Sequence, residues 1–226
     1  MAHPATFQLS TTDPLTGLLA SAYYRHLLRE ELLPQAERSG DPLTVVLVDV
    51  DGFEGVNKAH GHKGGDDVLT SVARLLQETL PETALISRYS GDEFAAALPD
   101  TPLDDAFTLL EEFRRRVADR SWADWPGLSV TCSIGLAAYP AHGHDDSELA
   151  RQADDALYNA KLTGRNKVSL PLADSRMVTK TSHYTDAQLK RLSQLAKTLN
   201  RKDASLLREA LDDLLKKYND RLNSLS

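Results

Sequence analysis

Four carboxylates stand where predicted strands of this chain end or turn. Asp49 lies at the end of the apolar run 43–50 and Asp51 directly follows it. Asp92 and Glu93 lie at a tight turn between two further predicted strands. Strands that are neighbours in one sheet would bring these side chains together, and converging carboxylates form a hard oxygen site that suits Mg²⁺ and phosphate chemistry. Aspartates at strand ends also commonly cap or solvate a turn, so the spacing alone leaves both interpretations open.

The elements that must position these carboxylates follow from the hydrophobic pattern. The run 43–50 is continuous, apolar and rich in β-branched residues, which is typical of a strand buried on both faces. A hairpin combined with helical crossovers predicts an α+β fold in which helices cover a mainly antiparallel sheet, and does not favour a doubly wound parallel sheet. Further strands are predicted at 84–89, 93–98, 128–139 and near 167–170, and helices at about 21–38, 65–80, 103–119 and 147–162.

Composition excludes several classes of protein. The chain has 226 residues, 41% of them hydrophobic and 26% charged, which fits one or two globular domains of roughly 100–200 residues each. Its single cysteine, Cys132, excludes an intramolecular disulfide and a cysteine-based zinc cluster. Residues 1–10 lack the basic and apolar segments of a signal peptide, and no run approaches the roughly 20 apolar residues of a membrane span. We therefore expect a cytoplasmic protein that does not bind a membrane.

Five short motifs are spread along residues 13–170. They are Asp13-Pro14-Leu15-Thr16-Gly17-Leu18; Asp49-Val50-Asp51-Gly52-Phe53 with Asn57; Gly61-His62 with Gly65-Asp66; Arg88-Tyr89-Ser90-Gly91-Asp92-Glu93-Phe94; and Ala153–Lys161 with Gly164-Arg165-Asn166. In this order and spacing they resemble the GGDEF family of diguanylate cyclases. The resemblance implies a nucleotidyl-cyclase-like palm fold and the condensation of two GTP molecules into cyclic di-GMP, each protomer of a homodimer contributing one GTP.

The resemblance also implies roles for the residues that match the family's motifs. Asp49, Asp92 and the carbonyl of Val50 match the ligands of Mg²⁺ or Mn²⁺, and Asp92 also matches the residue that activates the 3′-hydroxyl. Glu93 matches the second acid of the signature, which supports the catalytic site. An oxygen-ligated metal pair lowers the pKa of the hydroxyl and stabilises charge on the attacking and leaving oxygens.

A GTP site is implied on the same grounds. Asn57 and Asp66 match the pair that recognises guanine, because an amide and a carboxylate can read the donor and acceptor edge of the purine. Lys161 and Arg165, four residues apart, match the γ-phosphate contacts. The other substrate-binding positions implied are Phe53 and His62.

Several positions depart from the family's pattern. Ser90 stands where the signature has its first glycine, and Glu54 and Lys58 exchange the charges usual at their positions. An i,i+4 salt bridge survives this exchange, but a Lys expected beside the triphosphate has become Glu54, which weakens stabilisation of transition-state charge unless Lys58 reaches in. We therefore expect reduced activity; the alternative is a weakly active or inactive domain that senses GTP or cyclic di-GMP. The family's inhibitory Arg-x-x-Asp site is replaced by Pro81–Ala84, so we expect no product inhibition through it.

The last part of the chain forms a second predicted module. Residues 176–226 carry 11 Lys and Arg against six Asp and Glu, whereas the rest of the chain is acidic. Apolar residues recur at helical spacing and predict two helices, at about 186–199 and 203–222, as in a helical hairpin that docks or dimerises. The predicted domains are therefore 1–172 and 173–226.

Residues 179–218 also resemble ribbon-helix-helix repressors, which are dimers that bind double-stranded DNA. The resemblance places Thr179, Thr181 and His183 at base edges, and it places Arg201 and Lys202 near the phosphate contacts. Either interpretation of this module predicts a homodimer, and a homodimer is what the implied cyclase reaction requires.

Overall fold

The structure is a computed structural model that describes residues 10–171 and 184–198, together with the single residues Leu207 and Ala210. The chain divides into two compact units, Met1–Arg176 and Met177–Ser226. None of the helices within the described residues is long and apolar enough to cross a membrane.

The first unit is built on one six-stranded sheet. Its strands are β1 (Leu19–Ala20), β2 (Leu43–Val50), β3 (Leu85–Ser90), β4 (Glu93–Pro99), β5 (Cys132–Tyr139) and β6 (Val168–Ser169). They lie in the order β1-β3-β4-β2-β5-β6. The four central strands pair antiparallel, and the short edge strands β1 and β6 pair parallel to their neighbours. The prediction of a mainly antiparallel sheet is confirmed.

Helices cover both faces of this sheet. Strand β2 contributes side chains to both helical layers, because successive side chains of a strand point to opposite faces of the sheet. Val46 and Val48 pack in a core cluster with residues of α3 (Phe53–Thr79) and α4 (Leu103–Ala118). Val45 and Leu47 pack in a second cluster with α1 (Ser21–Leu27), α2 (Leu33–Ser39) and α5 (Asp146–Leu162). A π-helical turn, Leu28–Leu32, joins α1 to α2. The α+β fold predicted from the sequence is confirmed.

Two boundaries predicted from the sequence are wrong. Helix α3 begins at Phe53, well before the predicted start at residue 65, because glycines obscure its apolar period and Gly61, with φ 68° and ψ 178°, interrupts it. Strand β5 begins at Cys132 and not at Leu128. The residues before it resemble a strand in sequence because Val130 is buried in the core and Leu128 packs against it.

The second unit contains α6 (Asp186–Thr198), which confirms the first helix predicted there. Thr185 precedes this helix, and its hydroxyl oxygen accepts a hydrogen bond from the backbone N–H of Gln188 at 3.3 Å. This is the contact that an N-terminal helix cap makes. Apart from the helical Leu207 and Ala210, the second predicted helix, 203–222, lies outside the described residues.

Candidate active site

Strand β2 and the turn between β3 and β4 bring acidic residues to one edge of the sheet. Asp49 lies opposite Glu93 in the register of β2 with β4, and the backbone N–H of Val50 donates to the carbonyl oxygen of Asp92 at 3.3 Å. Burial raises the pKa of Asp49, and the negative charges of Asp92 and Asp51 raise it further. Burial also raises the pKa of Glu93, with Asp49 as the next cause. At this edge, burial and the neighbouring carboxylates therefore both disfavour the charged forms of Asp49 and Glu93.

Lys161 partly compensates this negative charge. It lies in the last turn of α5, and its Nζ is 2.7 Å from Oδ2 of Asp49. The Lys161 and Asp49 side chains are 31% and 13% exposed, so water and salt screen the ion pair only weakly. The hydrogen bond and the charge of Lys161 lower the pKa of Asp49 without outweighing the effect of burial. A predicted phosphate ligand is thus held beside a predicted metal ligand.

The donor atoms at this edge fit a hard divalent cation. Asp49, Asp92 and the carbonyl of Val50 would present only oxygen atoms, as Mg²⁺ and Mn²⁺ prefer. The raised pKa values of Asp49 and Glu93 include mutual repulsion between the acids, which a bound cation would relieve. Within residues 10–171 and 184–198, no three His, Cys, Asp or Glu side chains are grouped as a metal site. The fit therefore rests on two carboxylates and one carbonyl oxygen.

Arg88 holds the β3–β4 turn in place, a role that the sequence did not reveal. Its guanidinium donates twice to the carbonyl oxygen of Gly91, from Nε at 2.9 Å and from Nη2 at 2.8 Å. Its Nη1 lies 3.4 Å from Oδ2 of Asp13, whose Oδ1 accepts the backbone N–H and the hydroxyl of Thr16. Burial alone would raise the pKa of Asp13, but these hydrogen bonds and the Arg88 charge lower it. The first motif of the sequence thereby supports the turn that carries Asp92.

Helix α3 carries the predicted guanine-binding residues on both sides of its kink. Gly61 interrupts the helix between Asn57 and Asp66. Gly65 packs so closely that a Cβ on it would lie 2.1 Å from Oδ1 of Asn57. This Oδ1 is buried and has no hydrogen-bond partner among the described residues. The His62 and Asp66 residues are exposed. The structure therefore leaves an unpaired acceptor on Asn57 and an accessible carboxylate on Asp66.

The two residues with exchanged charges pair with each other at the surface. The Nζ of Lys58 lies 2.7 Å from Oε1 of Glu54, and the side chains are 74% and 83% exposed. The expected i,i+4 salt bridge is confirmed. Phe53, one residue earlier, is partly buried against the core, where a Cβ on Gly65 would approach its ring to 3.0 Å. Lys58 is thus paired with Glu54 at the surface of α3.

Asp51 has a different setting from Asp49, although the sequence grouped the two. Its side chain accepts hydrogen bonds from the hydroxyls of Thr131 and Ser133, each at 2.7 Å, and from the backbone N–H of Asn166 at 3.1 Å. Arg165 is 62% exposed, with its Nε 4.0 Å from Oδ1 of Asp51. Because its oxygens are already engaged by these donors, Asp51 is a structural acceptor in this site and does not add to the exposed donor set.

The predicted DNA contacts belong to the second unit. Thr179, Thr181, His183, Arg201 and Lys202 lie outside the described residues. Within α6, Leu189 and Leu195 are 46% and 49% exposed.

Two family models match the chain. One, described as "Diguanylate cyclase, GGDEF domain", matches residues 10–167, and another, "Ribbon-helix-helix domain", matches residues 178–219. Response regulator PleD of Caulobacter vibrioides is 37% identical over 166 residues, which cover 72% of this chain and 36% of that protein. Diguanylate cyclase A of Treponema denticola is 32% identical over 166 residues, covering 72% of this chain and 45% of that protein. The chain spans less than half the length of these relatives.

Solved structures agree with this assignment. The GGDEF domain of TpbB (YfiN) from Pseudomonas aeruginosa is 32% identical with a TM-score of 0.68, covering 74% of this chain and 98% of that chain. The GGDEF domain of DgcB from Caulobacter crescentus, solved in complex with c-di-GMP, is 29% identical with a TM-score of 0.65, covering 75% of this chain and 97% of that chain. Nearly the whole of each domain is matched, so the first unit has their fold.

Proposed function

Because the chain belongs to the GGDEF family of diguanylate cyclases, we propose that its first unit condenses two GTP molecules into cyclic di-GMP and pyrophosphate at the interface of a homodimer. The observation that carries the proposal is the edge where Asp49, Asp92 and Glu93 meet Lys161, whose Nζ is 2.7 Å from Asp49. Phosphoryl transfer needs oxygen ligands for a metal and a positive charge for the phosphates, and this edge offers both.

The metal-binding half of the proposed site consists of Asp49, Asp92 and the carbonyl of Val50, which would hold Mg²⁺ or Mn²⁺. Such an ion, when bound, lowers the pKa of a hydroxyl and stabilises charge on phosphate oxygens. Asp92 accepts the proton of the 3′-hydroxyl of one GTP. The oxygen of that hydroxyl attacks the α-phosphorus of the other GTP, and pyrophosphate leaves. Glu93 adds the negative charge that keeps this edge selective for a cation.

The nucleotide-binding half consists of α3 and the end of α5. The unpaired Oδ1 of Asn57 and the carboxylate of Asp66 accept hydrogen bonds from the N–H groups of guanine. Lys161 and Arg165 bind the γ-phosphate, for which Lys161 exchanges the Asp49 carboxylate for a phosphate oxygen. Phe53 and His62 complete the walls of the pocket.

Incubation of the purified chain with GTP and Mg²⁺, followed by chromatography for cyclic di-GMP, tests the proposal. The wild type should form product, Asp92→Asn should form none, and Asp104→Asn, which removes an exposed charge at the start of α4, should behave as the wild type. Absence of product from a wild-type chain that binds GTP would refute the cyclase proposal and leave the sensor as the function.

We propose that Glu54 lowers the rate of this reaction. Its carboxylate stands where the family has a lysine, and Lys58 is paired with it, so one positive charge near the triphosphate is missing. Glu54→Lys, and Glu54→Lys combined with Lys58→Asp, should both raise kcat. Turnover indistinguishable from that of the wild type in both variants would contradict the proposal.

A second candidate, a domain that binds GTP or cyclic di-GMP without turnover, is favoured by the same Glu54–Lys58 pair. In this candidate function, nucleotide binding regulates the ribbon-helix-helix domain of the second unit. Isothermal titration with each nucleotide, run on the same preparation as the product assay, separates the two candidates: tight cyclic di-GMP binding without product supports the sensor, and product formation supports the enzyme.

For the second unit, near 173–226, we propose dimerisation and binding of double-stranded DNA. The support is the ribbon-helix-helix match at 178–219 and the excess of positive charge in this part of the chain. DNA affinity should fall with salt, with a slope of about −0.9 in log–log form for each phosphate contact, and Arg201→Ala or Lys202→Ala should reduce that slope by about one contact. Lys63→Ala, in the first unit, is the matched control. A chain that is monomeric and binds no DNA contradicts this proposal.

A further inference from the structure

The turn that follows α5 is held in an uncommon backbone conformation. Gly164, Arg165 and Asn166 have φ values of 112°, 59° and 46°, so three successive residues have positive φ. Such conformations are unfavourable for residues other than glycine and persist only where surrounding contacts fix them. The turn separates Lys161 in α5 from β6, and it contains Arg165 itself. Its conformation therefore sets the position of Arg165 relative to Lys161.

Three hydrogen bonds hold the turn, in addition to the 4.0 Å contact of Arg165 Nε with Oδ1 of Asp51. The backbone N–H of Arg165 donates to the carbonyl oxygen of Ala160 at 3.0 Å, which belongs to α5 itself. The side-chain oxygen of Asn166 accepts a hydrogen bond from Nη1 of Arg114 in α4 at 3.0 Å. The backbone N–H of Asn166 donates to Oδ2 of Asp51 at 3.1 Å. Among these contacts, the one to Asp51 ties the turn to the sheet edge that carries Asp49.

Asp51 is itself firmly held. Its side chain is 6% exposed. The hydroxyls of Thr131 and Ser133, which lie just before and within β5, donate to its two oxygens at 2.7 Å each. Its backbone N–H donates to the carbonyl oxygen of Thr131 at 2.9 Å. A carboxylate with both oxygens fixed by hydroxyls presents its remaining lone pairs in defined directions, and one of them receives the Asn166 N–H.

We propose that Asp51 is a positioning residue that sets the phosphate-binding turn against the metal-binding edge, so that Lys161 and Arg165 converge on the γ-phosphate; this inference rests on the proposed GTP-binding function. Asp51 does not touch the nucleotide. It acts through the Asn166 N–H and through its 4.0 Å contact with Nε of Arg165, while Lys161 is held beside Asp49 by its own 2.7 Å contact.

The test compares affinities of the full chain for GTP and GDP in Mg²⁺, because GDP lacks the γ-phosphate. Asp51→Ala should weaken GTP binding by about tenfold, the loss expected when a hydrogen bond to a charged group is removed. Asp51→Asn, whose side-chain oxygen still accepts the Asn166 N–H, should weaken it less. The affinity of the same variants for GDP should change by less than about twofold. Thr44→Val removes a comparable buried hydroxyl, which donates to the Thr101 carbonyl at 2.9 Å away from the turn, and should affect neither nucleotide.

Hydrogen exchange gives a readout that needs no nucleotide. In the nucleotide-free chain, the Asn166 amide should exchange markedly faster in Asp51→Ala than in the wild type or Thr44→Val. Equal weakening of GTP and GDP, or GTP affinity and Asn166 exchange that match the wild type, would overturn the inference while leaving the proposed function intact. A wild-type chain that binds neither nucleotide would overturn the proposed function, and the inference with it.

Discussion

Replacing Lys161 by Met keeps the length of the side chain and removes the positive charge beside Asp49. The hydrogen bond that is lost joins Nζ of Lys161 to Oδ2 of Asp49 at 2.7 Å, and Asp49 is 13% exposed. Hydrogen bonds to charged groups contribute about 1.5–3 kcal/mol. Because Lys161 itself is 31% exposed, water replaces part of the interaction, and the free energy of unfolding should fall by ~1–2 kcal/mol at neutral pH.

This loss should depend on pH. Without Lys161, burial and the charges of Asp92 and Asp51 raise the pKa of Asp49 further above its usual value. A carboxyl whose pKa is higher in the folded than in the unfolded state costs stability as the pH rises through the folded pKa, and that stability returns below it. Once Asp49 is protonated, the wild type lacks the ion pair that the variant has already lost, so the two no longer differ in this interaction. The difference between them should therefore be largest near neutral pH and shrink on acidification.

Tryptophan fluorescence reports this unfolding, because the chain's two tryptophans, Trp122 and Trp125, both lie in the first unit. A loss of ~1–2 kcal/mol lowers Tm by roughly 2–8 °C for a domain of this size. Lys190→Met, in α6, changes the net charge equally and should leave this transition in place. A Tm deficit for Lys161→Met that stays as large when the pH is lowered from about 7.5 to about 3.5, below the usual carboxyl pKa values, would refute the electrostatic reasoning.

Three further predictions concern contacts around the site. Gly65→Ala brings a Cβ to 2.1 Å from Oδ1 of Asn57 and should weaken GTP binding in calorimetry by at least about tenfold; a further large loss on adding Asn57→Ala would show that Gly65 acts by another route. Arg88→Lys loses the two hydrogen bonds to the Gly91 carbonyl. Steady-state kinetics should show a fall in kcat that the small change in Tm does not account for. An unchanged kcat would contradict this prediction. Trp125→Phe removes the 3.1 Å hydrogen bond from Nε1 to Asp67 and should lower Tm by roughly 2–4 °C with unchanged GTP affinity; altered affinity would instead connect Asp67 to the nucleotide.

Local sequence patterns were sufficient where one strand or turn decides the outcome. The continuous apolar run of β2 required burial on both faces, and the acids at its end had to emerge at the edge of the sheet. The β3–β4 hairpin, with Asp92 and Glu93 at its turn, followed from two strand patterns separated by a tight turn. The i,i+4 pairing of Glu54 and Lys58 followed from helix geometry alone.

Contacts between distant parts of the chain were not predictable in this way. The sequence pattern does not distinguish Asp49 from Asp51. In the structure, Asp51 differs because it accepts hydrogen bonds from the hydroxyls of Thr131 and Ser133, which lie 80 and 82 residues away in the chain. The contact of Arg88 with Asp13, at a separation of 75 residues, likewise arises only on folding. Such pairings depend on which strands become neighbours, which no local period encodes.

The two halves of the proposed GTP site are tied to the core unequally. Strand β2, which ends at the metal-binding acids, is paired along its length with β4 on one side and β5 on the other. The phosphate-binding turn leads instead into β6, a two-residue strand paired only with β5 at the sheet edge. Opening such an edge breaks few backbone hydrogen bonds, so it occurs at much lower free energy than release of a central strand. The metal-binding half of the proposed site is thus anchored by two long neighbouring strands, whereas the phosphate-binding half is anchored by one short edge strand and by the side-chain contacts of the turn.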